Sequence, residues 1–172
     1  MDTGLLVLRL LVGLLFIGHG TQKLFGWFGG HGLKGTGSFF ESIGYRPGPF
    51  MALIAGATET FAGLFLAAGF LTPLGAAMVI GVMINAIVSV KWEKGLWSGY
   101  ELDLLYAGAA AALAFTGAGA YSLDALAGWD FSSPVWGAGA VVLGSVTAMF
   151  MLGSRRFAHA PAIPEVPQRR AA

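Results

Sequence analysis

The chain has 172 residues, of which 56% are hydrophobic and 11% are charged. Soluble domains carry about 25% charged residues, and the apolar residues here fall in long blocks, so the composition indicates a polytopic membrane protein. The net charge of +1 predicts no general attraction to nucleic acid, and the lack of cysteine excludes disulfides, thiolate metal sites, cysteine-ligated iron–sulfur clusters and thiol redox chemistry within this chain.

Five segments are apolar and long enough to predict transmembrane helices, which need about 20 residues. Asp2 rather than a basic stretch precedes the first segment, so we expect a membrane helix and not a cleaved signal peptide. Only Thr72 and Pro73 separate the second and third segments, which predicts a tight antiparallel hairpin. The fourth is the shortest, and we expect it to start at Gly99 or Tyr100. The five predicted spans are Gly4–Phe25, Pro49–Leu71, Leu74–Val90, Leu102–Gly117 and Pro134–Leu152.

Basic residues orient these spans, because cytoplasmic loops of membrane proteins are enriched in Lys and Arg. With five spans, the first loop, the third loop and the C-terminus share one side of the membrane. Apart from Arg9 inside the first span, that side receives all the basic residues, which predicts an outside N-terminus and a cytoplasmic C-terminus in a bacterial plasma (inner) membrane. They are Lys23, Lys34, Arg46, Lys91, Lys94, Arg155, Arg156, Arg169 and Arg170.

The first loop is rich in glycine, which is typical of a flexible connector and also of a backbone nest that binds an anion. Ser38 and Glu41 then form the pattern of a capping box ahead of Gly44. This pattern predicts a short interfacial helix that carries Phe39, Phe40 and Ile43. Residues 154–172 are rich in proline and are predicted to form a disordered cytoplasmic tail.

Glu59 is the main functional candidate, because it lies in the middle of the second span. A charged side chain at the bilayer centre costs about 2.5–3.5 kcal/mol on insertion scales, so we expect it to face other helices and a partner. Counting the helical rise places Asn85 level with Glu59 and Arg9 within reach of it. We therefore predict an intramembrane polar cluster of Arg9, Glu59 and Asn85 with an Arg9–Glu59 ion pair, which is either a binding site or a structural clamp.

A second polar layer is predicted near the cytoplasmic face, formed by His19, Lys23, Glu101 and Asp103. Lys23 follows His19 by four residues and shares its helix face, whereas Glu101 and Asp103 are two apart, so at most one of these acids should face the layer. The alternative is that Lys23 extends to the headgroups and the acids cap a helix. No other histidine lies near His19 in the predicted arrangement, so we predict no haem or metal site.

An ordered set of short motifs runs from about residue 5 to 126: Arg9-Leu10, Gly18-His19-Gly20, Lys23-Leu24, Ala57-Thr58-Glu59 followed by Gly63, Tyr100-Glu101-Leu102, and Gly119-Ala120-Tyr121-Ser122-Leu123-Asp124. This order resembles the DoxX family of bacterial membrane proteins. The resemblance implies a four-helix core, here residues 1–127, and distant kinship with the membrane subunit of thiosulfate:quinone oxidoreductases and with surfeit-type cargo receptors. Residues 128–153 depart from the family pattern by adding a fifth span, so we expect an all-α membrane bundle with a DoxX-like core and this extension.

We expect a redox-associated membrane subunit that interacts with a quinone. The intramembrane cluster would supply hydrogen bonds, and His19, Lys23 and Glu101 would carry protons to the cytoplasm. Because the chain has no haem, iron–sulfur or metal motif, we expect a soluble oxidoreductase partner to hold the electron source, and whether this chain is catalytic stays open. The alternative is non-enzymatic: transport of a small solute or lipid, or membrane assembly or cargo binding. The lipid bilayer is the expected surrounding, no nucleic-acid partner is expected, and the sequence leaves a homo-oligomer open.

Overall fold

The computed structural model describes residues 1–155, which form seven α-helices joined by short turns. Five of the seven are long, one lies between the first two long helices, and one is a single turn. The helices are α1 Asp2–Phe25, α2 Gly32–Ser42, α3 Gly48–Ala68, α4 Thr72–Ala86, α5 Glu101–Thr116, α6 Leu123–Leu126 and α7 Pro134–Gly153. The prediction of an all-α bundle is therefore confirmed.

The five predicted spans coincide with the five long helices, and the ends differ by a few residues. Four stretches are long and apolar enough to cross a membrane: α1, α3, α7, and α4 together with the π-helical turn Ile87–Lys91 and the 3₁₀ turn Trp92–Lys94 that continue it. Helix α5 has 16 residues, a length of about 24 Å, which is below the usual spanning length. It nevertheless runs between the same two ends of the bundle as the other four.

The two ends of the bundle differ in sequence and shape. The basic end is where α1, α4 and α7 finish and where α3 and α5 begin. Six of the seven lysines and arginines among residues 1–155 lie at or near it, namely Lys23, Lys34, Arg46, Lys91, Lys94 and Arg155. The hairpin end holds the turn between α3 and α4 together with residues 117–133, and its charged residues are Asp2, Arg9, Asp124 and Asp130.

Helices α1 and α3 pack closely because glycines face each other along their contact. A Cβ added to Gly13 would lie 2.6 Å from the Gly63 carbonyl oxygen, and one added to Gly20 would lie 2.6 Å from the Gly56 carbonyl oxygen. Small residues allow helix backbones to approach in this way, which favours association in lipid. The paired glycines fix the antiparallel register of α1 against α3.

The interior of the bundle is apolar, and so is most of its outer surface. Val12, Phe16, Leu66, Val79 and Leu113 form the centre of one buried cluster. Large apolar side chains are also exposed on the outer faces of the long helices, as lipid-facing residues are, for example Leu14, Phe61, Leu105, Val146 and Phe150. Aromatic residues are exposed near both ends, including Trp27, Trp92 and Trp97 at the basic end and Tyr121, Trp129 and Trp136 at the other.

Helix α2 corrects the predicted capping box. The helix begins at Gly32, so the second half of the glycine-rich segment is helical rather than a flexible connector. Ser38 therefore lies inside the helix, and its hydroxyl donates to the Lys34 carbonyl oxygen at 3.1 Å, as serines within helices do. Glu41 instead accepts a hydrogen bond from the Gly48 backbone N–H at 2.9 Å and connects α2 to α3. Except for Ser154 and Arg155, the predicted tail 154–172 lies outside the described residues.

Candidate functional site

A cavity of about 720 Å³ lies among the helices and extends towards the basic end. Cavities that bind small molecules typically have about 300–1,000 Å³ and combine an apolar lining with a few polar groups. Phe16, Met51, Met83 and Met151 contribute to the apolar lining. The polar lining includes His19, Lys23, Tyr45, Glu59, Asn85, Ser89, Lys91, Asp103 and Tyr106.

Lys23 at the end of α1 pairs with Glu59 in the middle of α3. The Lys23 Nζ lies 2.6 Å and 2.8 Å from the two carboxylate oxygens of Glu59. The Glu59 side chain is 5% exposed and that of Lys23 is 26% exposed, so the buried member of the pair is the acid. The ammonium group has three N–H donors, and the carboxylate can use at most two of them, which leaves at least one for a ligand in the cavity.

The predicted Arg9–Glu59 ion pair is wrong. Gly13 lies opposite Gly63 and Ala67, so Arg9, one turn earlier, lies beside Gly69, about 15 Å of helical rise along α3 from Glu59. The register that the glycines impose thus places Arg9 at the hairpin end and brings Lys23 towards Glu59.

A second ion pair lines the same cavity and joins the π-helical turn after α4 to the first turn of α5. The Lys91 Nζ lies 2.6 Å and 2.8 Å from the carboxylate oxygens of Asp103. Here too the acid is buried, with 7% of its side chain exposed against 34% for Lys91. Glu101 is exposed and accepts a hydrogen bond from the Ser98 backbone N–H at 2.6 Å. The prediction that at most one of these two acids would face the polar layer is confirmed, and that acid is Asp103.

Tyr45 fixes the orientation of Asn85 at the cavity wall. The buried Tyr45 hydroxyl donates to the Asn85 side-chain oxygen at 2.9 Å, and the Ser89 hydroxyl donates to the Asn85 backbone oxygen at 2.5 Å. In this arrangement the Asn85 amide nitrogen has no hydrogen-bond partner among residues 1–155 and is available to a ligand. Arg155 holds Tyr45 from the other side: its guanidinium lies 5.7 Å from the ring centre, and its Nε donates to the Ile43 carbonyl oxygen at 2.9 Å.

His19 belongs to an aromatic contact between α1 and α5. Its ring centre lies 6.4 Å from that of Phe16 and 6.3 Å from that of Tyr106, both in edge-to-face geometry. The His19 Nδ1 is 3.2 Å from the Gln22 side-chain oxygen, which orients the ring. His19 and Tyr106 therefore meet in the lining of the cavity that also contains the two ion pairs.

A separate polar cluster occupies the hairpin end and does not line the cavity. Asp124 accepts hydrogen bonds from the Leu71 N–H at 2.7 Å, the Thr72 N–H at 3.1 Å and the Thr72 hydroxyl at 2.6 Å. Arg9 is 0% exposed and donates from Nη2 to the Tyr121 carbonyl oxygen. Its Nε and Nη1 have no hydrogen-bond partner within residues 1–155, and the charge of Asp124 attracts the guanidinium.

The structure thus brings five predicted site residues to one cavity: His19, Lys23, Glu59, Asn85 and Asp103. Arg9 and Glu101 lie elsewhere. Sequence reasoning missed Tyr45, Lys91 and Tyr106 as members of this site, because their distance along the chain gives no sign of the contact. No group of three or more His, Asp or Glu side chains that could hold a metal ion occurs among the described residues.

Comparison with known proteins places this architecture in a family. The family model DoxX matches residues 4–92, and a model described as the TQO small subunit DoxD matches residues 49–156. The putative oxidoreductase CatD of Bacillus subtilis (strain 168) is 32% identical over 123 residues, which are 72% of this chain and 86% of that protein. The inner membrane protein YqjF of Escherichia coli (strain K12) is 34% identical over 128 residues, which are 73% of this chain and 92% of that protein. No solved structure matches. The chain is a multi-pass helical membrane protein that belongs to the DoxX family.

Proposed function

We propose that this protein is a redox-associated subunit of the bacterial plasma (inner) membrane that binds a quinone in the cavity at the basic end. The observation that carries the proposal is the Lys23–Glu59 pair, in which a buried carboxylate pairs with a partly exposed lysine in the lining of a mainly apolar cavity. The name of the Bacillus subtilis relative, a putative oxidoreductase, supports the redox part of the proposal.

The chemistry of a quinone fits this lining. A quinone has an apolar ring and carbonyl oxygens that accept hydrogen bonds, so it needs donors inside a hydrophobic pocket. Lys23 and the Asn85 amide supply such donors, and Glu59 supplies a group that can take up or release a proton beside them. Reduction of a quinone to a quinol takes two electrons and two protons, and a soluble oxidoreductase partner would supply the electrons.

The same proposal orients the protein in the membrane. The cluster of basic residues at the cavity end favours a cytoplasmic position for that end, which leaves the N-terminus outside. The cavity would then open towards the compartment that contains a soluble electron donor.

A non-enzymatic function remains the alternative, because a cavity of this kind also suits a small solute or lipid that is transported or a segment of a protein that is assembled. The name of the Escherichia coli relative states its location and no chemistry. In that case the ion pairs would bind the cargo without proton exchange.

Extraction in mild detergent followed by mass spectrometry of retained small molecules tests the proposal. We expect quinone to co-purify with the wild-type protein, and Glu59→Gln to lower the retained amount about tenfold. The substitution removes the carboxylate that positions the Lys23 ammonium, and a hydrogen bond from a charged group to the quinone contributes about 1.5–3 kcal/mol. Glu93→Gln is the matched control, since Glu93 is exposed and does not line the cavity.

If the Glu59→Gln variant and the control retain equal amounts of quinone, the quinone does not bind at the Lys23–Glu59 pair. A wild-type protein that retains no quinone, yet moves a solute into liposomes or captures partner proteins, would replace the proposal with the non-enzymatic alternative.

A further inference from the structure

We propose that the Lys91–Asp103 pair is the second binding pair of the same cavity, so that the ligand head group is held at two oxygen atoms, one by each ion pair. This inference rests on the proposed quinone-binding function and specifies its ligand class: a flat amphipathic molecule with acceptor oxygens on two sides of its head group. In the sequence, Lys91 stands out only as one of the loop charges that orient the protein.

The two pairs are built alike. In each, a lysine Nζ lies 2.6 Å and 2.8 Å from the two oxygens of one carboxylate. In each, the acidic side chain is at least nine-tenths buried and the lysine side chain is the more exposed partner, at 26% for Lys23 and 34% for Lys91. Each ammonium group therefore keeps one donor that its own carboxylate does not use.

The two pairs come from different helices and reach the cavity at the same level. Helices α1 and α3 supply Lys23 and Glu59, whereas Lys91 follows α4 and Asp103 belongs to α5. The rings of His19 and Tyr106 join α1 to α5 at 6.3 Å. Lys23 lies four residues beyond His19 and Asp103 three residues before Tyr106, which places both backbones about 4.5–6 Å from this contact in the direction of the basic end.

A ligand between the pairs would meet donors on two sides and apolar groups around it. Phe16, Met51 and Met83 line the same cavity. A head group with one acceptor oxygen would leave one ammonium group without a ligand contact. A head group with two acceptor oxygens would use the third N–H of both lysines, so the arrangement selects for two oxygens.

The test replaces each pair by neutral side chains of similar size, so that no buried charge is left without its partner. One variant combines Lys23→Met with Glu59→Gln, and the other combines Lys91→Met with Asp103→Asn. The control combines Lys34→Met with Glu93→Gln, both of which are exposed and outside the cavity. Gel filtration in detergent checks that all three remain folded.

Two probes with the same ring substituents report on the two oxygens. Duroquinone has two carbonyl oxygens on a tetramethyl ring, and the corresponding tetramethylphenol has one oxygen. We expect the Kd of duroquinone to rise about tenfold in each cavity variant and to stay unchanged in the control, because each variant loses one charge-assisted hydrogen bond. The phenol should bind more weakly to the wild type and respond to one of the two replacements only.

Each other outcome has a distinct meaning. If loss of the Lys91–Asp103 pair leaves the Kd of duroquinone unchanged while loss of the Lys23–Glu59 pair raises it, the second binding pair is overturned and the proposed function stands. If the phenol responds equally to both replacements, the pairs shape the cavity rather than bind separate oxygens, which also overturns the inference. If the wild type binds neither probe, both proposals fail.

Discussion

The two ends of the bundle hold buried charge in different ways. At the hairpin end, protein groups donate to Asp124 three times, and the Arg9 beside it is inaccessible. At the basic end, each buried carboxylate has a lysine whose ammonium group faces a cavity. The first arrangement is closed by the chain itself, whereas the second keeps donors for a molecule from outside.

This difference separates a structural role from a binding role for chemically similar residues. Asp124 joins the loop after α5 to the α3–α4 turn, and Arg9 joins α1 to the same region through the Tyr121 carbonyl oxygen. Substitutions at the hairpin end should therefore act on stability. Substitutions at the basic end should act mainly on what the cavity binds.

Asp124→Ala should have the largest effect on stability. It removes the acceptor of three hydrogen bonds and a negative charge that attracts the buried Arg9 guanidinium. A hydrogen bond to a charged group contributes about 1.5–3 kcal/mol, and three are lost together, so we expect a large fall in the melting temperature in detergent. The melting temperature of Asp124→Asn should lie between those of this variant and the wild type, since the amide keeps a hydrogen-bond acceptor and loses the charge.

Asp130→Ala is the control for this substitution, because Asp130 is exposed and bonds only to Ser132 among the described residues. Its melting temperature should stay near that of the wild type. Equal losses in the Asp124 and Asp130 variants would show that the hairpin end does not depend on the buried cluster.

Gly69→Ala should have the next largest effect. Gly69 has φ of +63°, and an added Cβ would lie 1.8 Å from Arg9 Nη1. A left-handed conformation costs a non-glycine residue about 1–2 kcal/mol, and displacement of the buried guanidinium adds to that.

The comparison is Gly108→Ala in α5, where no atom lies within 4 Å of the added Cβ. That variant should melt at or slightly above the wild-type temperature, because alanine favours a helix by about 0.5–1 kcal/mol. A Gly69→Ala protein as stable as Gly108→Ala would contradict the closed packing around Arg9.

The helices themselves could be predicted from the sequence because hydropathy records contact with lipid. Long apolar blocks locate each span to within a few residues, and even the short α5 is recognisable. The capping box failed since Ser38 and Glu41 fit a helix start, while the actual helix begins at Gly32 and places both residues within it.

Partners of the buried charges could not be predicted from depth alone. Depth compares positions along the membrane normal, but the register of two helices depends on where their backbones touch. Gly13 and Gly20 are seven residues apart, as are Gly56 and Gly63, and this matching spacing was the signal that would have paired α1 with α3 correctly. The contact between Lys91 and Asp103 could not be predicted from helix spacing, because it depends on the irregular turns between α4 and α5.

The smallest of these stability effects is the coupling between Lys23 and Glu59, and it tests the corrected pairing. We expect Lys23→Met and Glu59→Gln together to destabilise the protein by about 1 kcal/mol less than the sum of the single substitutions, since contacting residues typically couple by about 0.5–3 kcal/mol. The Lys23 side chain is partly exposed, so solvent screens the pair, and we expect a coupling energy in the lower part of that range. Thermal unfolding of the wild type, the two single variants and the double variant gives the coupling energy.

The same cycle with Lys34→Met in place of Lys23→Met should be additive, because Lys34 is exposed on α2 and does not line the cavity. Additivity in both cycles would mean that the Lys23–Glu59 contact contributes nothing measurable, and the basic end would then lose its distinction from an ordinary charged membrane surface.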